Sequence, residues 1–170
     1  MEALDNLNEL SLDFVDFNKQ HNGESMIEIC YFGKYKNVLN FLFNKLKKKH
    51  NSKDFLLNCQ NNNFEAVYVN LKNGVNINQR DIDGNTGIIL AIMNKHKNIV
   101  DLLIEFKADV NLYNKKDFTP LIYASTNGSI DVVNKLIKYG ADVNYKAKNG
   151  MTAIIAGCIN KRKNVVNILT

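Results

Sequence analysis

The sequence predicts an all-α solenoid of stacked helix-turn-helix units, and three observations predict it. A period of 33 residues runs along the chain, with Thr86, Thr119 and Thr152 evenly spaced. Whole segments return at the same offset: Ala108-Asp109-Val110-Asn111 recurs as Ala141-Asp142-Val143-Asn144, and Ile99-Val100 as Val132-Val133 and Val165-Val166. A period of this size marks a solenoid or array. Within one period the apolar residues keep helical spacing. Ile88, Ala91 and Ile92 fall at i, i+3 and i+4, one helical face, and Val100, Leu103 and Ile104 do the same further on. One such unit is too small to bury its own apolar face, so neighbours must stack.

The best-preserved period is the one opened by Asp117-Phe118-Thr119-Pro120-Leu121-Ile122-Tyr123-Ala124. It continues through Asn127-Gly128-Ser129-Ile130-Asp131-Val132-Val133 and closes on Leu136-Ile137-Lys138-Tyr139-Gly140-Ala141-Asp142-Val143-Asn144. These three stretches resemble the opening, inter-helix turn and close of the ankyrin repeat. The resemblance covers nearly the whole chain in three to four phased copies. It implies a turn, two antiparallel helices and a projecting hairpin per repeat. It also implies a protein-binding function carried by the hairpin fingers and the concave face of the first helices.

The expected elements follow in order. Residues 1–21 read as an N-terminal cap, a degenerate half repeat. Ala3, Leu4, Leu7 and Leu10 keep helical spacing there, and Asp16-Phe17-Asn18 echoes Asp109-Val110-Asn111. Residues 22–50 form repeat 1, in which Glu24 to Gly33 aligns either on Gly128 or, one residue off, on Thr119. Residues 51–82 form repeat 2, where Gly74-Val75-Asn76-Ile77-Asn78 falls on Lys107 to Asn111. The join before it is short, is expected to lack a full hairpin, and is filled with charge from Lys45 to Lys53. Residues 83–115 form repeat 3. Gly74 and Gly140 end helices where a positive φ is needed, and Lys107 stands at the equivalent place under mild strain. Residues 116–148 form repeat 4, and residues 149–170 a partial repeat 5. Ile154, Ile155, Val165, Val166 and Leu169 then lack a following repeat, an open end suited to a partner, a second copy or a further domain.

Composition sets outer bounds. The chain has 170 residues, 45% hydrophobic and 23% charged, enough apolar surface for a core. Its net charge is +5, with Glu2, Asp5, Glu9, Asp13 and Asp16 set against Lys19 at the start, so the body is basic. A basic body favours acidic partners. No apolar run approaches the ~20 residues that span a bilayer, and the acidic opening does not read as a secretory signal. A cytoplasmic protein is expected. Abundant Asn, Lys and Ile, with Pro120 as the single proline and Arg80 and Arg162 as the only arginines, suggest AT-rich coding. That composition raises an alternative: a pathogen or viral protein in the host cytosol that modulates host signalling as an inhibitor mimic. A structural segment that self-assembles or packs on a following domain is a third reading.

The chemistry-bearing residues point away from catalysis. Cys30, Cys59 and Cys158 fall on one repeat position and are expected as small buried residues, too far apart for a disulfide. His21, His50 and His96 show no metal-ligand spacing with each other or with a cysteine. Asp81-Ile82-Asp83-Gly84 begins like a calcium loop, but Leu90 stands where the loop needs its glutamate. No phosphate loop, nucleophile elbow or zinc motif is present. The chain is therefore expected to be no enzyme and to need no cofactor or metal. Lys45, Lys47, Lys48 and Lys49 read as a solvated helix end, without interleaved aromatics for single-stranded nucleic acid. Nucleic acid is thus an unfavoured partner.

Carried over by position, the fingers are residues 79–85, 112–118 and 145–151. The candidate partner-binding residues are Arg80 and Ile82 on the first, and Tyr113, Lys115, Lys116 and Phe118 on the second. Tyr145, Lys146, Lys148 and Met151 are on the third, with Tyr123 on an inner helix beside them. Exposed aromatics and arginine dominate interface energetics. An acidic or amphipathic segment of a partner protein fits this set. Two departures from the family pattern bear on the loops. Ile89, Ile122 and Ile155 replace the family's histidine, and Gly87 and Ala153 replace its proline. The repeats are therefore expected to be held more by apolar packing than by the usual loop hydrogen-bond network.

Overall fold

The computed structural model describes residues 26–33, 35–47 and 54–170. The N-terminal cap and the charged stretch from 48 to 53 lie outside the described residues, as do His21 and His50. Among the described residues there are ten helices: α1 Met26–Phe32, α2 Lys36–Lys47, α3 Phe55–Gln60, α4 Phe64–Lys72 and α5 Gly87–Met93, then α6 Lys97–Glu105, α7 Pro120–Asn127, α8 Ile130–Lys138, α9 Ala153–Ile159 and α10 Lys163–Leu169. From α3 onward they form two layers. The inner helices α3, α5, α7 and α9 pack on one another in chain order, and the outer helices α4, α6, α8 and α10 do the same behind them. The described part is all helical apart from a bridge between Arg80 and Thr86.

Local chemistry starts and stops these helices at the repeat period. The Thr119 hydroxyl caps α7 by accepting from the Ile122 amide at 3.4 Å, and Thr152 caps α9 through the Ile155 amide at 3.3 Å. Pro120 opens α7, where its missing N–H has no intrahelical partner to lose. Left-handed residues recur in phase: Asn62, Lys95, Gly128 and Lys161 in the inter-helix turns, and Gly74, Lys107 and Gly140 after the outer helices. At the latter, Lys107 donates to the Ile104 carbonyl and Ala108 to that of Leu103, a Schellman closure that needs the positive φ. Lys107 has φ 67°, as its equivalence to two glycines predicts. Its ammonium lies over the Tyr139 ring, which offsets part of the strain.

The core runs the length of the stack. Ile88, Ala91 and Ile92 are buried, as are Val100, Leu103 and Ile104, the two faces expected from spacing. In α5 burial extends all the way from Gly87 to Ile92, because α3 and α7 flank it and α6 backs it. Cys30 and Cys59 are buried, but Cys158 is exposed, contrary to the expectation for all three. Ile92 and Ser125, its counterparts, are covered by the next inner helix, whereas α9 has an inner neighbour only on the α7 side. Ile155 and Ile159 are exposed on α9 for the same reason.

The first helix pair takes a direction that the period does not indicate. α1 and α2 pack on the outer helix α4, and α1 reaches across it to α6. Tyr31 donates to Glu105 at 2.6 Å, Asn98 donates to Glu28 at 2.6 Å, and the Tyr31 ring stacks on Phe106. This pair therefore lies on the outer-helix side of the stack.

Lys95 has φ 61°, and among the described residues the cation–π contacts involve Lys72, Arg80 and Lys107 instead. A left-handed non-glycine residue costs roughly 1–2 kcal/mol, and glycine gives back roughly 0.5–1 kcal/mol in chain entropy. Lys95→Gly should therefore raise the unfolding free energy in urea by about 0.5–1 kcal/mol. A loss of stability would show that the turn is not strained.

Candidate functional site

The first two fingers are shaped by one side chain each, placed at the same point of the period. In the first, the Asp81 carboxylate accepts from the amides of Asp83 at 2.9 Å and Asn85 at 2.7 Å, and from the Asn85 side chain at 2.9 Å. This is the stretch that starts like a calcium loop. Its oxygens are turned inward on the loop's own donors. In the second finger Asn114 takes over, accepting from the amides of Lys116 at 3.0 Å and Phe118 at 3.2 Å. Asparagine adds donors that aspartate lacks. Its amide group donates to Asn85 Oδ1 and to the Tyr123 hydroxyl, both at 2.8 Å, tying two fingers and an inner helix together in a buried position. In the third finger Ala147 stands at this place and packs with Ile122 and Ala156, while Asn149 accepts from Met151 at the tip.

Further bonds link finger to finger. The Lys115 amide donates to the Asp83 carbonyl at 2.9 Å. Asp117 accepts from the Tyr145 hydroxyl at 2.6 Å and from the Lys148 amide at 2.7 Å. At the bases of the fingers Asn78 accepts from the Asp109 amide, and Asn111 accepts from Asp142 and donates to the Gly140 carbonyl. The expectation of a loop network reduced in favour of apolar packing is thus corrected. Asparagine and aspartate side chains build a continuous network without histidine. None of Asp81, Asn114, Asp117, Asn78 or Asn111 was among the candidates. The signal was present: Asp81 and Asn114 stand one period apart, as do Asn78 and Asn111.

The candidate binding residues separate into three groups on this frame. Ile82, Lys116, Lys115, Lys146 and Lys148 project into solvent, Ile82 with 85% of its surface exposed. Arg80, Tyr113 and Tyr145 form a ladder across the three fingers. The Arg80 guanidinium donates to the Tyr113 carbonyl and lies 6.0 Å from its ring centroid, and the Tyr113 and Tyr145 rings stack at 5.9 Å. Tyr113 remains exposed, and Tyr145 is half-buried. Phe118, Tyr123 and Met151 are half-buried beneath the fingers. Phe118 and Met151 pack on the Ile122 group, and the Phe118 ring meets Tyr123 edge-on. Met93, on the inner helix α5, is exposed. The outward-pointing charge of the fingers is net basic: Asp81 and Asp117 spend their oxygens inside the network, and exposed Asp83 stands against Arg80, Lys115, Lys116, Lys146 and Lys148. Among the described residues no group of histidine, cysteine or carboxylate side chains could hold a metal ion, and no helix is long and apolar enough to cross a membrane.

Titration reports directly on the link between the second and third fingers. Burial, and then the Asp117 carboxylate it donates to, push the Tyr145 phenol up to about 12. The Tyr145 hydroxyl, followed by the Lys148 amide, holds the Asp117 carboxyl below its usual range. Asp117 is depressed on folding, so its contribution is present above the ordinary value of 3.8 and lost as pH falls through its lowered value. Tyr145 is raised, so its contribution is present below 10.0 and lost as pH climbs towards 12. In an NMR titration of the ring resonances, Tyr145 should ionise near 12. In Asp117→Asn it should ionise lower but still above 10.0, since burial is the larger cause. An unchanged titration in the variant would mean that the link is not formed.

Comparison with known proteins agrees with this geometry. Residues 55–147, more than half of the chain, match the family model for ankyrin repeats, in three copies. A stretch of 60 residues is 40% identical to a fowlpox virus (strain NVSL) protein described as an ankyrin repeat protein. That stretch is 35% of this chain and 18% of the viral protein's length.

Proposed function

The chain belongs to the ankyrin repeat family, and on that premise we propose that it is a non-catalytic module that grips a partner protein with its fingers and concave helix face. Ankyrin repeats in general mediate protein–protein interaction. The observation that carries the assignment to this surface is the Arg80–Tyr113–Tyr145 ladder with its flanking lysines. It is pre-ordered by the finger network, so little side-chain entropy is lost on binding. Its outward charge is positive and its aromatics are partly open. The favoured partner is therefore an acidic or amphipathic protein segment, met in the cytoplasm.

The domain layout supports the same proposal. The matched residues 55–147 underlie repeats 2 to 4 of the 51–82, 83–115 and 116–148 division, and these carry the first two fingers and the start of the third. Residues 22–50 and 149–170 flank them as repeat 1 and a partial repeat 5. A second reading is favoured by the fowlpox likeness together with the Asn- and Lys-rich composition: a viral protein acting on host signalling in the host cytosol. A third, self-association or docking of a further domain, is favoured by exposed Ile155 and Ile159 on α9.

Capture of partners from cell extract tests the first reading. The control is Ile82→Ala with Tyr113→Ala, Lys116→Ala and Lys148→Ala, four exposed changes outside the buried network. A protein retained by the natural chain should lose at least tenfold in affinity for the variant, since truncating central anchors removes about 1–2 kcal/mol each. Equal retention by a folded variant would take the binding surface away from the fingers.

A further inference from the structure

The ends of the helices remote from the fingers carry a second surface. The inter-helix turns lie at that end, since the fingers precede α5, α7 and α9 and follow α4, α6 and α8. Two hollows of about 400 and 340 Å³ lie side by side there and share Ile130. The first sits between repeats 3 and 4 and is floored by Ile92, Val100 and Val132. The second sits between repeats 4 and 5, against Gly128 and Val165. They adjoin at Ile130, the first over an apolar floor and the second with Val165 beneath mostly charged and polar side chains.

Its rim is cationic. Lys95 and Lys97 border the first hollow, and Lys161, Arg162 and Lys163 the second, against Asp131 alone. Asp131 is already held by Lys97 at 2.6 Å, an exposed pair. No carboxylate among the described residues pairs with Lys95, Lys161, Arg162 or Lys163. Arg162 is held in place: its Nε donates to the Thr126 carbonyl at 3.1 Å, and its side chain lies across Gly128, where a Cβ would stand 2.6 Å from Arg162 Cδ. The glycine therefore serves two needs, a left-handed turn and a seat for the arginine. That guanidinium keeps its remaining donors for something outside the chain.

We propose that this groove binds an extended acidic peptide segment bearing apolar residues, separately from whatever the fingers hold. Unpaired cations gathered on one edge repel one another, and an anion relieves that repulsion. The apolar floor takes side chains that nucleic acid lacks, and no aromatic residue lines either hollow to stack a base. Two repeat spacings of about 10 Å each match about six extended residues.

The probe is a short fluorescein-labelled peptide of repeating Glu-Glu-Leu, read by anisotropy and by amide chemical shifts. The groove variant is Lys95→Glu, Lys161→Glu and Lys163→Glu. A variant of equal net charge carries Lys72→Glu, Lys107→Glu and Lys138→Glu, all exposed elsewhere. Both sets of changes are made in the Ile82→Ala, Tyr113→Ala, Lys116→Ala, Lys148→Ala chain, which removes the finger site, and against that parent the groove variant should bind about tenfold or more weakly and the other within about twofold. Shifts should centre on Gly128 to Val132 and Lys161 to Val165. Equal losses in the two variants, shifts confined to the fingers, or no binding would overturn the proposal. So would a uridine oligonucleotide binding as tightly as the peptide, which would make the edge a polyanion site.

Discussion

From α3 to α10 no helix exceeds nine residues. Helices of that length are not stable by themselves in water, so each exists because its neighbours bury it. The consequence is a strict register. A residue can be buried between repeats only if the next repeat brings its partner to the same height, and the period of 33 does this from Phe55 to Leu169. The same register governs the fingers, which have no helix of their own. Asn114 is the joint, since it shapes its own loop, holds Asn85 in the preceding finger, and holds Tyr123 on the inner helix. Backbone groups that would otherwise be buried without partners are satisfied there by one side chain.

The apolar spacing around Ile88 and Val100 and the glycine-for-lysine exchange at Lys107 were legible in the residues because they depend on nearest neighbours in the chain or on exact repetition. The finger network was less legible. Missing histidines at Ile89, Ile122 and Ile155 suggested a lost network, yet finger backbone donors are met by Asp81, Asn114 and Asp117. A residue-by-residue template cannot show such a substitution, whereas the one-period spacing of Asp81 and Asn114 could have. The lie of the first helix pair depends on Tyr31 and Glu28 meeting Glu105 and Asn98, contacts seventy or more positions apart that no local pattern encodes. Cys158 shows the complementary case: it matches Ser125 by position but not by burial, because burial belongs to the neighbouring repeat.

Two faces of different character result from one stack. The finger face is polar, cross-linked and aromatic, with the Asp81 and Asp117 carboxylates directed inward and its lysines outward. The turn edge is a groove with a cationic rim and, in its first hollow, an aliphatic floor, and Arg162 is fixed there by contact with the preceding repeat. Both are cross-linked in the same way, namely that from Gln60 onward the described turns and fingers are tied to a neighbour about one period away. Such pre-organisation is what allows a small, helix-poor surface to bind without a large ordering cost.

The dependence of the finger surface on Asn114 is open to direct measurement by amide hydrogen exchange and urea unfolding of Asn114→Ala. The variant should exchange faster at Lys116 and Phe118, and at neighbouring amides of the first finger. It should also lose about 2 kcal/mol of stability, because buried groups are left without partners. Exchange at those amides indistinguishable from the natural chain, with unaltered stability, would contradict the account: the fingers would then be held by apolar packing alone.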